Sequence, residues 1–195
     1  MKISQLSETE VAYIAGLIDG EGSINMTKTV DVRGDRKIRF RVRLTVAAAT
    51  SMDLISWLVS KLGACAYKVG TPQAENHRQG WAVKLSEAPA ERLLQRAIPY
   101  LVIKKRHAEL FLRYRAIQAA CGPGIRWRKK ELKELRVVRD WFYEEFRAIN
   151  AKGPKTVTTN TPDTISEQEV VKIESDLQGN LQRARGDSAP PAVIQ

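Results

Sequence analysis

Residues 37–47 alternate more strictly than any other stretch of the chain. Ile38, Phe40, Val42, Leu44 and Val46 fall on one side, and Lys37, Arg39, Arg41, Arg43 and Thr45 on the other. Successive strand side chains point to opposite faces, so this period of two dictates a β-strand with one apolar and one cationic face. The apolar face must be covered, whereas a row of cations stays in solvent unless each finds a partner. A chain built around this strand therefore needs an antiparallel sheet, with helices on one face and the other face open.

The flanking segments supply that architecture. Ser7-Glu8-Thr9-Glu10 has the capping-box pattern, a hydroxyl followed three residues later by a glutamate. The helix it starts is expected to run to Ile18 or Asp19, with Val11, Ile14 and Ile18 on its apolar face and Gly20 and Gly22 stopping it. A strand over 23–32 and a turn at Arg33-Gly34-Asp35 lead into the alternating strand. Thr50 or Ser51 then caps a second helix ending at Leu62-Gly63, and weaker strands follow at 65–69 and 81–85, joined by a polar loop over 70–80. Pro89 opens a short helix. Pro99-Tyr100-Leu101-Val102-Ile103 leads into a helix over 104–120 that stops at Gly122-Pro123-Gly124, and a long amphipathic helix covers 128–150. The class is α+β, αββαββα to about residue 121, with a four-stranded antiparallel sheet and C-terminal helices. One domain is expected over 1–152. Residues 153–195 read as a polar, largely flexible tail with a short helix at 166–177.

Charge narrows the partners. The net value is +10, concentrated in two blocks: residues 23–49 hold seven bases against two acids, and residues 101–150 hold thirteen against six. A polyanion is the natural partner, nucleic acid ahead of a membrane surface, although charge alone fits a solvated basic face equally well. No apolar run reaches the roughly 20 residues of a membrane span. The N-terminus lacks the pattern of a secretion signal, so an intracellular setting is expected. Cys65 and Cys121 are too few and too isolated for a disulfide framework or a zinc site, and are expected to be reduced and buried. His77 and His107 are expected to face solvent or phosphate rather than a metal. The run Arg126-Trp127-Arg128-Lys129-Lys130 is either a second grip on a polyanion or a solvated helix start.

The first helix carries the chemistry. Ala12, Gly16 and Gly20 stand at i, i+4 and i+8, a narrow stripe of minimal side chains that admits another backbone closer than the usual 8–10 Å. Glycine inside a helix costs roughly 1 kcal/mol relative to alanine, so Gly16 asks for a packing reason. The most economical partner is the same helix of a second copy across a two-fold axis. Two Glu21 carboxylates would then converge, and like charges so close repel unless a cation sits between them. Carboxylates and backbone carbonyls are hard ligands suited to Mg²⁺, and Mg²⁺ beside a phosphodiester acidifies water and stabilises the leaving oxygen. Taken alone, a helix followed by Gly-Glu-Gly is more often an ordinary surface turn; the stripe and the cationic strand beside it favour the site.

Ala15-Gly16-Leu17-Ile18-Asp19-Gly20-Glu21-Gly22, followed by Ser23-Ile24, resembles the signature of the LAGLIDADG homing endonucleases, and more narrowly the single-motif kind that works as a homodimer. Leu62-Gly63 and Pro99-Tyr100-Leu101-Val102-Ile103-Lys104-Lys105 extend the resemblance over roughly residues 8–150. It implies a Mg²⁺-dependent enzyme that cuts both strands of a long, partly palindromic DNA site across the minor groove, leaves cohesive 3′ overhangs, and supports intron mobility. Glu21 and the carbonyl of Gly20 would bind the metal, and Lys104 would tune the water around it. Ala12, Gly16 and Gly20 would form the dimer interface. The sheet would be a DNA-binding saddle presenting Asn25, Thr27, Thr29, Arg39, Arg41, Arg43, Lys68 and Lys84 to the major groove. Some members act instead as RNA-binding maturases on their own intron RNA. One departure stands out: a polar and a basic residue normally follow the second strand, where this chain has Ala47-Ala48-Ala49-Thr50-Ser51-Met52. That points to slow cleavage or to a DNA-binding protein with weakened catalysis.

Overall fold

The computed structural model describes residues 2–30, 38–70, 79–120, 131–151 and 165–186. The expected capping box forms. The Ser7 hydroxyl accepts from the Glu10 amide at 3.2 Å and the Glu10 carboxylate accepts from the Ser7 amide at 2.8 Å, starting helix α1, Glu8–Glu21. Strands β1 (Ser23–Val30), β2 (Ile38–Ala49), β3 (Ala66–Val69) and β4 (Gly80–Ser86) make one antiparallel sheet in the order β1-β2-β4-β3. Helix α2 (Met52–Leu62) takes Ser51 as its cap and ends on Gly63, whose φ of 61° is the left-handed conformation glycine adopts freely. Helices α3 (Glu87–Ala97), α4 (Lys105–Ala120), α5 (Glu131–Asn150) and α6 (Glu167–Gly186), with short 3-10 helices at Lys2–Gln5 and Ile98–Tyr100, complete the described elements.

The apolar side of β2 decides the layering. Phe40, Val42, Leu44 and Val46 are buried with Ile24 and Met26 of β1 and Val83 and Leu85 of β4. Against them pack α1, through Val11, Ile14, Ala15 and Ile18, together with α2, α3, α4 and α5. Burying each such aliphatic side chain stabilises by about 1.5–3 kcal/mol, which outweighs the modest helix propensity of the β-branched residues in α1. Lys28 ties the outer layer to the sheet by pairing with Asp140 of α5 while its ammonium sits 5.5 Å from the Phe40 ring centroid.

Several boundaries differ from expectation for identifiable reasons. Gly20 does not stop α1, which continues through Glu21. The stop is Gly22, whose amide donates to the carbonyls of both Leu17 and Ile18. A Cβ at Gly22 would stand 2.7 Å from the Ile18 and Thr45 backbones, so close approach, not a left-handed turn, demands glycine there. The helix expected over 166–177 is longer: Ser166 caps it, Val170 is buried, and Glu174 binds Arg113 of α4 at 2.8 Å. Cys65 is exposed rather than buried, because it lies between the end of α2 and an edge strand. Cys121, His77 and the 126–130 run lie outside the described residues. No helix among the described residues is long and apolar enough to cross a membrane.

Candidate active site and nucleic-acid interface

Four acids lie on α1, and three of them are engaged. Glu8 accepts from Arg96 and from the Tyr100 hydroxyl, each at 2.7 Å, and these two partners hold its carboxyl below the usual range. Glu10 closes the capping box and pairs with Lys61. Asp19 accepts from three consecutive backbone amides, those of Val102 at 2.7 Å, Ile103 at 3.2 Å and Lys104 at 2.8 Å. Partial burial works against the charge on Asp19, but these amides outweigh it and keep the carboxyl below its ordinary value. Glu21 is exposed, and no hydrogen bond or ion pair among the described residues engages it.

The Asp19 contacts set the geometry of the site. The segment 102–104 is the lead-in to α4, whose first intrahelical bond runs from the Ala108 amide to the Lys104 carbonyl. One carboxylate thus satisfies the N-cap amide of α4, Lys104, and the two amides before it, which no helix pairs. The same segment turns Lys104 back, so that its ammonium donates to the Asp19 carbonyl. In the last turn of α1, the Ile18 carbonyl is taken by Gly22 and the Asp19 carbonyl by Lys104; Gly20 and Glu21 carry the remaining two. Glu21, the Gly20 carbonyl and the Lys104 ammonium are thereby gathered at one helix end. The carboxylate and carbonyl are hard oxygen donors of the kind Mg²⁺ prefers. No group of three or more His, Cys, Asp or Glu that could hold a metal ion occurs among the described residues.

The stripe on the opposite side of α1 from the core is uncovered. Gly16 and Gly20 are exposed, a Cβ on either would meet nothing within 4 Å, and Ala12 is half-buried. Val102 and Ile103, held at the end of α1 by Asp19, are 84% and 70% exposed.

The open face of the sheet follows from register. Asn25 pairs with Arg43, Thr27 with Arg41, Thr29 with Arg39, and Thr45 with both Ser23 and Lys84, so these residues share one side. Arg41, Arg43 and Lys84 are exposed, and no ion pair among the described residues engages them. Lys68 does not join that row. It pairs with Trp81, two positions from Ala66–Val83 on the helix-covered side, and its ammonium lies 5.7 Å from the Trp81 ring centroid. Tyr67 occupies the open side instead, 6.0 Å from the Lys84 ammonium.

One further residue differs from expectation. His107 is half-buried against the end of α5, not solvent-facing. Burial and the charge of Lys104 push its imidazole below the usual range, opposed by hydrogen bonding at the Ile149 backbone and the Asn150 side chain. Asn150 in turn donates to the carbonyls of Ile24 and Phe146, fixing α5 beside the first strand. At the same end of the sheet, the β2–β4 register shifts between Thr45 and Ala47, a bulge that leaves Val46 and Ala47 both buried.

An antiparallel sheet of order β1-β2-β4-β3 backed by helices gives a fold that known structures share. The homing endonuclease I-CvuI, solved with its DNA target, superposes with a TM-score of 0.57 at 17% identity over 88% of this chain and 96% of that one. The chain has the fold of the LAGLIDADG homing endonucleases. The archaeal intron-encoded homing endonuclease I-Vdi141I, solved with DNA, shares that fold with a TM-score of 0.54 at 17% identity, over 88% of this chain and 98% of its own. The group I intron-encoded I-CeuI, also complexed with DNA, gives 0.50 at 9% identity over 89% and 78% of the two chains. No protein-family model and no curated protein matches the sequence. Within this homing-endonuclease fold, Asp19 is the positioning residue that sequence reading missed: its amide partners lie more than 80 positions away, and no local pattern announces them.

Proposed function

We propose that the chain is a site-specific DNA endonuclease acting as a homodimer, in which each copy contributes one Glu21 and one Lys104 to Mg²⁺-dependent phosphodiester hydrolysis. The observation that carries this reading is the selective engagement of acids on α1: Glu8, Glu10 and Asp19 are bound, and Glu21 has no partner among the described residues where Lys104 is tied down. The DNA-bound neighbours and the unpaired cations of the open face support duplex DNA as the partner.

In this account residues 1–152 form the endonuclease unit, and the stripe Ala12, Gly16 and Gly20 meets its copy across a two-fold axis, with Val102 and Ile103 widening the apolar contact. Two Glu21 carboxylates then converge from the two helix ends. A bound divalent cation would polarise a phosphoryl oxygen and acidify water. Glu21 and the Gly20 carbonyl would hold that cation, and Lys104, fixed by Asp19, keeps a positive charge beside the developing phosphate charge. Asn25, Thr27, Thr29, Arg39, Arg41 and Arg43 lie along the major groove, where arginine bonds guanine bidentately. The product is a double-strand break with cohesive 3′ overhangs in a long, partly palindromic target, the cut that intron mobility requires.

A second reading, a DNA-binding protein with weakened catalysis, draws on one observation: Ala47 turns into the core after the bulge, and alanines occupy the end of β2. An RNA-binding maturase fits the open face less well, because the deep, narrow major groove of A-form RNA does not admit a two-stranded ribbon. Incubating the protein with a randomised duplex library, with and without Mg²⁺, separates these readings. Recurrent double-strand breaks at one sequence, only with Mg²⁺, are expected. Selective binding without breaks would establish the weakened form, and preference for structured RNA over every duplex would establish the maturase.

A further inference from the structure

The open face is not uniform. Its β1–β2 half presents hydrogen-bonding groups: Asn25, Thr27, Thr29, Arg41 and Arg43. Its β3–β4 half carries two exposed apolar side chains beside the polar Lys84 and Ser86. Tyr67 and Val69 alternate with Ala66 and Lys68, so both lie on the open side, and they are 51% and 42% exposed. Their partners on β4 are Gly80 and the buried Ala82, with Lys84 next along the same side. Apolar side chains this exposed on a sheet face otherwise made of cations and hydroxyls call for a partner that is apolar locally and anionic at its edges.

Duplex DNA has one such feature in its major groove, the thymine C5-methyl group, which alanine, threonine methyls and aromatic edges contact. The Lys84 ammonium beside Tyr67 suits the phosphate that flanks such a base. Resting on the DNA-binding reading above, we propose that Tyr67 and Val69 are specificity residues that read thymine methyl groups. Each half-site is then divided into a hydrogen-bonded block under β1–β2 and a thymine-bearing block under β3–β4.

The test uses the full chain and a library of duplexes randomised over both half-sites, selected by binding in the absence of Mg²⁺. Selected duplexes should require thymine at fixed positions distinct from those altered by Arg43→Ala. Resynthesis with deoxyuridine at those positions, which removes only the methyl, should weaken binding roughly fourfold at each, the loss expected for one buried methyl group. Tyr67→Ser and Val69→Ser, both at exposed sites, should abolish the thymine requirement and leave the Arg43-dependent positions unchanged. A selected sequence with no thymine requirement, or equal affinity for the deoxyuridine duplex, overturns the proposal while leaving DNA binding intact. Failure to select any duplex overturns both.

Discussion

The two ends of α1 use the same kind of group for different ends. At its start, Glu8 is exposed and bound by side chains, the Arg96 guanidinium and the Tyr100 hydroxyl. At its finish, Asp19 is partly buried and bound by three main-chain amides, and two residues on Glu21 is bound by nothing among the described residues. Side-chain ion pairs at a surface lose most of their strength to solvent screening and to the entropy of long side chains. Backbone amides are already fixed, so a carboxylate that collects three of them orders the chain rather than merely neutralising charge. The start of α1 is fastened; the finish is built, and the unfastened Glu21 stands on what is built.

Breaking the finish should do the most damage. Gly22→Ala would drive a Cβ to 2.7 Å from backbone atoms of Ile18 and Thr45, neither of which has a flexible end to yield. A loss of about 3–5 kcal/mol is expected in denaturant unfolding, the range of severe packing defects; a loss below about 1 kcal/mol would mean the helix end relaxes freely. Asp19→Asn removes the charge and replaces one accepting oxygen with an NH2 that cannot accept, and should cost about 1–3 kcal/mol through the amide bonds it loses. It should also loosen Lys104, so cleavage should fall further than thermal stability suggests. The pH dependence has a definite sign. Because the folded-state carboxyl lies below its ordinary value, the Asp19 contribution is complete above about pH 4 and is lost as pH falls through the depressed value. Stability of Asp19→Asn and the parent protein should therefore draw together only as pH falls below about 4; a difference that stays constant through acid unfolding would remove the charge from the account.

Gly16→Leu probes the middle of the helix and should split two readouts. The exposed site has room, and leucine exceeds glycine in helix propensity by roughly 0.8–1 kcal/mol, so the single chain should become more stable. The proposed dimer should dissociate in sedimentation, and an intact dimer would locate the interface elsewhere. Glu8→Gln should have the smallest effect, a slight loss of stability with no change in cleavage. A large loss there would erase the contrast between the ends.

Much of this was legible in the sequence wherever period and capping act locally. The Ser7 box, the β1–β2 ribbon and the glycine stripe rest on contacts within a few residues or on strict alternation, and the fold shows all three. Legibility failed where distant segments decide. Asp19 is bound by amides from 102–104. The four residues of β3 are too short to fix the phase that puts Tyr67, rather than Lys68, on the open side. Helix α6 outlasts its weak apolar pattern, anchored on α4 through Val170 and Glu174. His107 reads as solvent-facing only until α5 packs over it.

Glu21→Gln tests the central claim most directly, because it removes one charge from the one acid of α1 that holds nothing among the described residues. Cleavage of a selected duplex with Mg²⁺ should drop by at least about 100-fold, a loss on the scale of removing one electrostatic stabiliser of the transition state. Duplex affinity and unfolding midpoint should stay at parental values. Cleavage at the parental rate by this variant would contradict the account.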